Sequence, residues 1–197
     1  MTSQKEFLKS VVENLQQAGI DYVICGSIAA SFYGVERSTQ DADIIIDSTE
    51  EQLTNFLKLL GDAYYVSNDA VLEALKQSTM FNIIDVENAW KADLIIRKKT
   101  DFYTEEFHRK RKEKLLGKDL YILSPEDTIL SKLAWAKNSR SEQQFRDALE
   151  VAIIQWSNLE WDYLHKWAKE LQVEGSLKQL LKQAKKLLDS KQESKFE

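Results

Sequence analysis

The sequence predicts an α+β (α/β) chain in which strands and helices are interleaved over residues 1–123 and helices alone follow over 124–197. Three observations carry this expectation. Short apolar runs at 22–25, 44–46, 80–86 and 92–96 have the length and the Ile, Val and Tyr content of strands. Between them lie stretches with apolar residues three and four apart, such as Phe7, Leu8, Val11, Val12 and Leu15, the spacing of an amphipathic helix. Beyond Ser124 the apolar pattern has helical period throughout. The composition, 43% hydrophobic and 30% charged with six Gly and one Pro in 197 residues, is that of a soluble globular chain. Its length suits one domain, or one domain with a small helical extension.

Each element has its own local reason. Ser3 and Glu6 form a capping box, and the helix they open stops at Gly19. Residues 22–25 read as a strand that breaks at Gly26 and Ser27, with a short helix over 28–33. Asp41, Ala42 and Asp43 lead into Ile44, Ile45 and Ile46, an unbroken apolar run that marks a central strand buried on both faces. Asp47 reads as its exit residue. Thr49 or Ser48 caps a helix over 49–60 that buries Leu53, Phe56, Leu57 and Leu60 and stops at Gly61. A short strand at 63–66 and a short helix at 69–77 precede two strands, 80–86 and 92–96, joined by a tight turn over 87–90. A helix is expected over 102–111 and a small hairpin over 114–123, broken at Gly117 and Lys118.

Ser124 as cap and Pro125 at the first helical position open a helix that turns Leu130, Leu133 and Ala134 inward. Lys132 lies on it. Further helices are expected over 141–155, 159–171 and 176–188, with fraying over 191–197. Trp135, Trp156, Trp161 and Trp167 read as helix-packing aromatics.

The chemistry-bearing stretch is 25–46. Residues two apart on a strand share a face, so Asp41 and Asp43 project side by side. Adjacent carboxylates repel, and a cation between them relieves this; paired carboxylate oxygens are the hard ligands that Mg²⁺ takes. Upstream, the Gly26–Ser27 step between a strand and a short helix leaves backbone N–H groups to meet an anion, with glycine permitting close approach.

Charge is divided along the chain. The net charge of −5 argues against broad nucleic-acid affinity, yet residues 1–96 hold 6 Lys+Arg against 15 Asp+Glu and residues 97–197 hold 21 against 17. Within 97–114 the count is 8 basic to 4 acidic. This run suits attraction of phosphates or, alternatively, a solvated, ion-paired surface. The single Cys25 excludes an internal disulfide, and with only His108 and His165 beside it no structural zinc site can be assembled. Neither a Gly-x-x-x-x-Gly-Lys-Ser/Thr loop nor a Gly-x-Gly-x-x-Gly turn is present. No signal-peptide pattern and no bilayer-length apolar run is read, so a cytoplasmic location without membrane contact is the expectation.

Cys25, Gly26 and Ser27 followed by Asp41, Ala42, Asp43 and Ile44 resemble the signature of the DNA polymerase beta-like nucleotidyltransferase superfamily. The resemblance implies a nucleotidyltransferase fold: a small mixed sheet flanked by helices, forming a catalytic core over 1–123, with a C-terminal helical bundle over 124–197 packed on it. It also implies a third carboxylate on a later strand. Asp93, between Ala92 and Leu94 at the start of an apolar run, is the preferred position and Asp85 the competing one. The implied reaction moves a nucleoside monophosphate from an NTP to a hydroxyl acceptor. Two Mg²⁺ ions would be held by Asp41, Asp43 and Asp93, the catalytic set, with Gly26, Ser27, Arg37 and Lys132 binding the nucleotide.

A narrower resemblance is to small prokaryotic proteins related to AbiEii/AbiGii-type toxins. It rests on Arg37, Thr39, Asp41 and Asp43, on Ser124, Pro125, Glu126, Asp127 and Lys132, and on Ser141, Glu142, Gln144 and Asp147. This implies a toxin of a toxin–antitoxin pair, with an antitoxin as partner and tRNA or a protein as acceptor. An RNA, a protein and a small molecule all remain open as acceptors, and a catalytically silent module of the same fold is the alternative to an enzyme.

Overall fold

The structure, a computed structural model, describes residues 3–36, 39, 41–115, 117–139 and 141–193. Its contacts divide the chain into two compact units, Met1–Ile28 with Ser38–Ile122 and Ala29–Arg37 with Leu123–Glu197.

The first unit is built on a seven-stranded mixed sheet of order β3-β4-β5-β2-β1-β7-β6. The strands are β1 (Asp21–Ile24), β2 (Asp41–Asp47), β3 (Tyr64–Tyr65), β4 (Met80–Asp85), β5 (Lys91–Ile96), β6 (Arg111–Leu115) and β7 (Lys118–Ile122). β2 lies antiparallel to β1 and parallel to β5, and β5 continues antiparallel into β4. On one face of these strands Ala42, Ile44 and Ile46 align with Ala92, Leu94 and Ile96, all buried. Phe81 and Ile83 extend the same apolar row on β4.

Helix α1 (Gln4–Gln17) packs on β1 and α3, and its Ser3–Glu6 capping box is formed as expected. α3 (Glu50–Leu60) has a second capping box, from Thr49 to Gln52. α4 (Asn68–Gln77), capped by Ser67, packs on β4 and β5. α2 (Gly26–Phe32) begins two residues before the expected helix, directly at the glycine.

The expected helix over 102–111 is shorter than its pattern suggested. α5 runs Asp101–His108, and the chain then turns into β6, whose Arg111 pairs with Ile122 of β7. Residues 109–114 are almost all charged, so no apolar period distinguished helix from strand there. On the sheet edge this composition is useful, because lysines discourage pairing with a second edge. Part of the basic run is used in ion pairs, Arg97 with Asp47 at 2.6 Å, Lys112 with Asp119 at 3.3 Å and Lys110 with Asp21, and just beyond it Lys118 pairs with Glu13. Asp47 is thus the exit residue of β2 held by a guanidinium, which also bonds Thr104 and lies over Phe107.

The second unit is helical. α6 (Pro125–Ser139) packs on α7 (Glu142–Ile154) and α8 (Trp161–Glu170), and α9 (Glu174–Glu193) packs on α7 and α8. α9 is longer at both ends than the expected helix, and residues 194–197 of the expected frayed end lie outside the described residues. The segment 29–36 joins this unit rather than the sheet: the Tyr33 hydroxyl donates to the Leu123 carbonyl at 2.7 Å, and Gly34, at φ +101°, packs against Ile154. The change of period set the expected division at 123 and left 29–36 with the strands, because this tertiary hydrogen bond leaves no local mark in the sequence. Trp167 is buried and Trp156 meets Trp161 edge to face at 4.7 Å, whereas Trp135 is 52% exposed and packs less than expected.

Buried polar groups hold this unit together. The Ser124 hydroxyl donates to Asp127 and accepts from its backbone N–H, Tyr163 donates to the other Asp127 oxygen, and Glu126 accepts from the Glu160 N–H. The Ser-Pro-Glu-Asp run therefore ties the start of α6 to α8. Lys132 is 3% exposed, not the solvated surface lysine that helix position alone allowed. Its ammonium meets Asp147 at 2.9 Å and Gln144 at 3.0 Å, while Gln143 donates to the second Asp147 oxygen. No described helix is long and apolar enough to cross a membrane.

Breaking such a pair strands a buried charge, which costs about 3–5 kcal/mol. Lys132→Met is accordingly expected to lower the unfolding free energy by that amount, and the urea midpoint falls with it. The double variant Lys132→Met, Asp147→Leu is expected to lose less than the sum of the single losses, as equilibrium unfolding of all three variants will read.

Candidate functional site

The face of the sheet opposite the apolar rows carries the candidate site. Parallel pairing sets Asp43 of β2 directly beside Asp93 of β5, and Asp41 beside Lys91. Because residues two apart share a face, these four side chains form two adjacent lateral pairs on one surface. Antiparallel pairing adds Asn82 of β4 opposite Asp93. On the other side, the Cys25 N–H donates to the Asp43 carbonyl at 2.9 Å, which brings the end of β1 and Gly26 alongside.

Gly26 has a reason to be glycine. Its φ is +61°, and a β-carbon placed there would lie 2.7 Å from the carboxyl carbon of Asp43 and 2.9 Å from its β-carbon. The Asp43 side chain fills the space that any other residue at 26 would claim. Ser27 is 7% exposed at the start of α2. The entry to β2 is clamped by Thr39, whose hydroxyl donates to the Asp41 carbonyl and accepts its N–H, and whose own carbonyl is held by Gln4 at 2.6 Å. Arg37 lies outside the described residues.

The two contenders for the third carboxylate occupy different environments. Asp93 stands in the row with Asp43. Asp85 has the opposite strand parity, is 7% exposed, and accepts hydrogen bonds from the N–H groups of Glu87 and Asn88 at 2.9 and 2.8 Å. Those bonds close the β4–β5 turn, the local role of an aspartate two residues before a bend.

Lys91 and Asn82 were not singled out in the sequence. The Lys91 ammonium lies 3.2 Å from Asp93 Oδ2 and 3.5 Å from Asp41 Oδ2, bridging the two strands. Desolvation pulls its pKa down, but the hydrogen bond and charge of Asp93 and the charge of Asp41 outweigh it and leave the pKa raised. Asn82 Nδ2 donates to Asp93 Oδ1 at 2.5 Å. Both Asp93 oxygens therefore have partners, one neutral and one cationic. A signal existed for Lys91, which has the parity of Asp93; the 82–93 pairing depends on a hairpin register that the expected turn over 87–90 did not give.

The donor set fits a hard divalent cation. It consists of carboxylate oxygens without sulfur or imidazole, and a cation already stands among them in the form of Lys91. Among the described residues no three Asp, Glu, His or Cys side chains are gathered to hold a metal ion as they stand. Lys132, the other cationic residue expected at the nucleotide, is placed in the helical unit with Asp147.

No protein-family model matches the chain, and no curated protein matches it. Solved structures do match in fold. An antigenic nucleotidyltransferase-like protein from Paracoccidioides brasiliensis has a TM-score of 0.55 at 15% identity, over 91% of this chain and 92% of that one. The lincosamide antibiotic adenylyltransferase LnuA, solved with lincomycin bound, has a TM-score of 0.54 at 12% identity, over 78% and 98%. ANT(2'')-Ia, solved in complex with adenylyl-2''-tobramycin, has a TM-score of 0.52 at 13% identity, over 79% and 97%. The fold of this chain is the nucleotidyltransferase fold.

Gly26→Ala tests the packing of the site. A left-handed φ costs an L-residue about 1–2 kcal/mol and the overlap with Asp43 adds to it. A fall in Tm of roughly 2–8 °C is expected for a chain of this size. The replacement is also expected to displace Asp43, so the variant loses any response to nucleotide that the parent chain gives in the same melting experiment.

Proposed function

We propose that this chain is a Mg²⁺-dependent nucleotidyltransferase that moves a nucleoside monophosphate from an NTP to a hydroxyl acceptor. The observation that carries the reading is the in-register pairing of Asp43 with Asp93, with Asp41 on the same face and Gly26 against Asp43. Three carboxylates beside a close-approach glycine suit a triphosphate and its counter-ion better than they suit a purely structural sheet.

Residue roles follow from chemistry. Asp41 and Asp43 hold Mg²⁺ together with the triphosphate; when bound, the ion neutralises phosphate charge and makes the α-phosphorus easier to attack. Gly26 and Ser27 meet the β and γ phosphates, where the missing side chain lets oxygens approach the backbone. Arg37, four residues before Asp41, adds positive charge for the phosphates. Lys132 enters through the buried network that positions α6 and α7, and a direct phosphate contact would require it to leave Asp147. Asp93 takes up the proton as the acceptor oxygen bonds to the α-phosphorus and pyrophosphate departs. Whether Asp93 also ligates a second ion turns on Lys91.

The acceptor is a finer matter. Lincomycin and the adenylyl-tobramycin adduct in the related folds support a small hydroxylated molecule. The Arg37, Thr39, Asp41 and Asp43 run, with its resemblance to AbiEii/AbiGii-type toxins, supports tRNA or a protein and an antitoxin partner. Transfer of label from an α-³²P NTP to each class of acceptor decides between them.

The reading itself is tested by thermal melting with ATP, GTP, CTP and UTP, with and without Mg²⁺. Ligand at about 100-fold excess over its dissociation constant stabilises by roughly 2.7 kcal/mol, a rise in Tm of about 5–10 °C. The rise is expected to need Mg²⁺ and to vanish in Asp43→Asn. No response to any nucleotide at millimolar concentration would leave a catalytically silent module of this fold.

A further inference from the structure

Lys91 stands where a metal ion would be expected. It pairs with Asp41 in the parallel β2–β5 register, so its position is set by two central strands rather than by a mobile loop. Its ammonium lies between carboxylates of two different strands, 3.2 Å from Asp93 and 3.5 Å from Asp41. Its side chain is 33% exposed and that of Asp93 11%, so the contact is partly sheltered from bulk water. The remaining Asp93 oxygen accepts from Asn82. A divalent ion on Asp93 would share its oxygens with Lys91 and Asn82 and would lie close to the Lys91 ammonium, which repels it.

We propose that Lys91 is the resident cation of this site: it holds the position between Asp41 and Asp93, so that the cluster takes up one divalent ion with the nucleotide and not two. Lys91 is a positioning residue, which holds the Asp93 carboxylate in place across the sheet without a second metal. The proposal rests on the nucleotidyltransferase reading for its nucleotide-dependent part. Its nucleotide-free part stands on the geometry of Asp41, Lys91 and Asp93 alone.

The test counts bound Mn²⁺ by electron paramagnetic resonance on the full chain with a non-hydrolysable NTP analogue, for the parent, Lys91→Met and Lys91→Arg. Melting curves with and without Mn²⁺ accompany the count, in the absence of nucleotide. The parent is expected to bind one ion and Lys91→Met two, with Lys91→Arg restored to one because it keeps the charge. Without nucleotide, Lys91→Met is expected to melt below the parent, because Asp41 and Asp93 then lose the ammonium between them. Mn²⁺ at about 100-fold excess over its dissociation constant should raise it by roughly 5–10 °C, while the parent gains little.

Two ions in the parent, or one count shared by the parent and Lys91→Met, overturns the proposal and leaves the nucleotidyltransferase reading in place. No ion in the parent with any nucleotide analogue contradicts that reading, and Lys91 is then judged by melting alone. A Lys91→Met chain as stable as the parent and indifferent to Mn²⁺ overturns its role; a destabilised chain rescued by Mn²⁺ supports it.

Discussion

The parallel register between β2 and β5 is the constraint on which the candidate site depends. Asp43 faces Asp93 only because Ile44 faces Leu94 and Ala42 faces Ala92 on the other side of the same strands. A slip of one residue would carry the carboxylates into the apolar layer and the isoleucines out of it. The hydrophobic effect thus enforces the spacing of the polar face, since burial of Ile44, Ile46, Leu94 and Ile96 is lost in any other alignment. β2 is doubly determined, because its antiparallel pairing with β1 also brings Cys25 and Gly26 to the Asp43 end.

Collecting carboxylates on one face has an electrostatic cost, and the molecule meets it with local partners. Asp41 and Asp93 share the Lys91 ammonium, Asp93 also has Asn82, and Asp47 at the far end of β2 has Arg97. The helical unit shows the same economy in a drier setting, where Asp127 is held by Ser124 and Tyr163, and Asp147 by Lys132 and Gln143. The buried members, Asp93, Asp127 and Asp147, have both carboxylate oxygens bonded within their own unit, as burial requires. The difference lies in exposure: the sheet-face cluster keeps Asp41 half exposed and open to an incoming charged ligand, whereas Asp147 is enclosed.

Most of the elements were legible because their signals are local. The Ser3–Glu6 capping box, the isoleucine run of β2 and the Ser124–Pro125 helix start were read from neighbouring residues, and the structure forms them. The helix ending at His108 was read too long because charged residues carry no apolar period. Within the site, strand parity placed Asp41 with Asp43, whereas the preference for Asp93 over Asp85 came from its position at the start of an apolar run. The bridge from Lys91 to Asp41 depends on which strand lies beside β5, and pairing between strands about fifty residues apart leaves no short-range mark. Membership of 29–36 in the helical unit has the same origin, since it rests on the Tyr33 hydrogen bond to Leu123.

The central claim is that the polar face of the β2–β5 pair receives a cation and a triphosphate. Anomalous diffraction from crystals grown with Mn²⁺ and a non-hydrolysable NTP analogue tests it most directly. The account predicts a manganese peak at the carboxylates of Asp41 and Asp43 with the analogue's phosphates beside Gly26. A peak elsewhere, or none with the analogue bound away from this face, would contradict it.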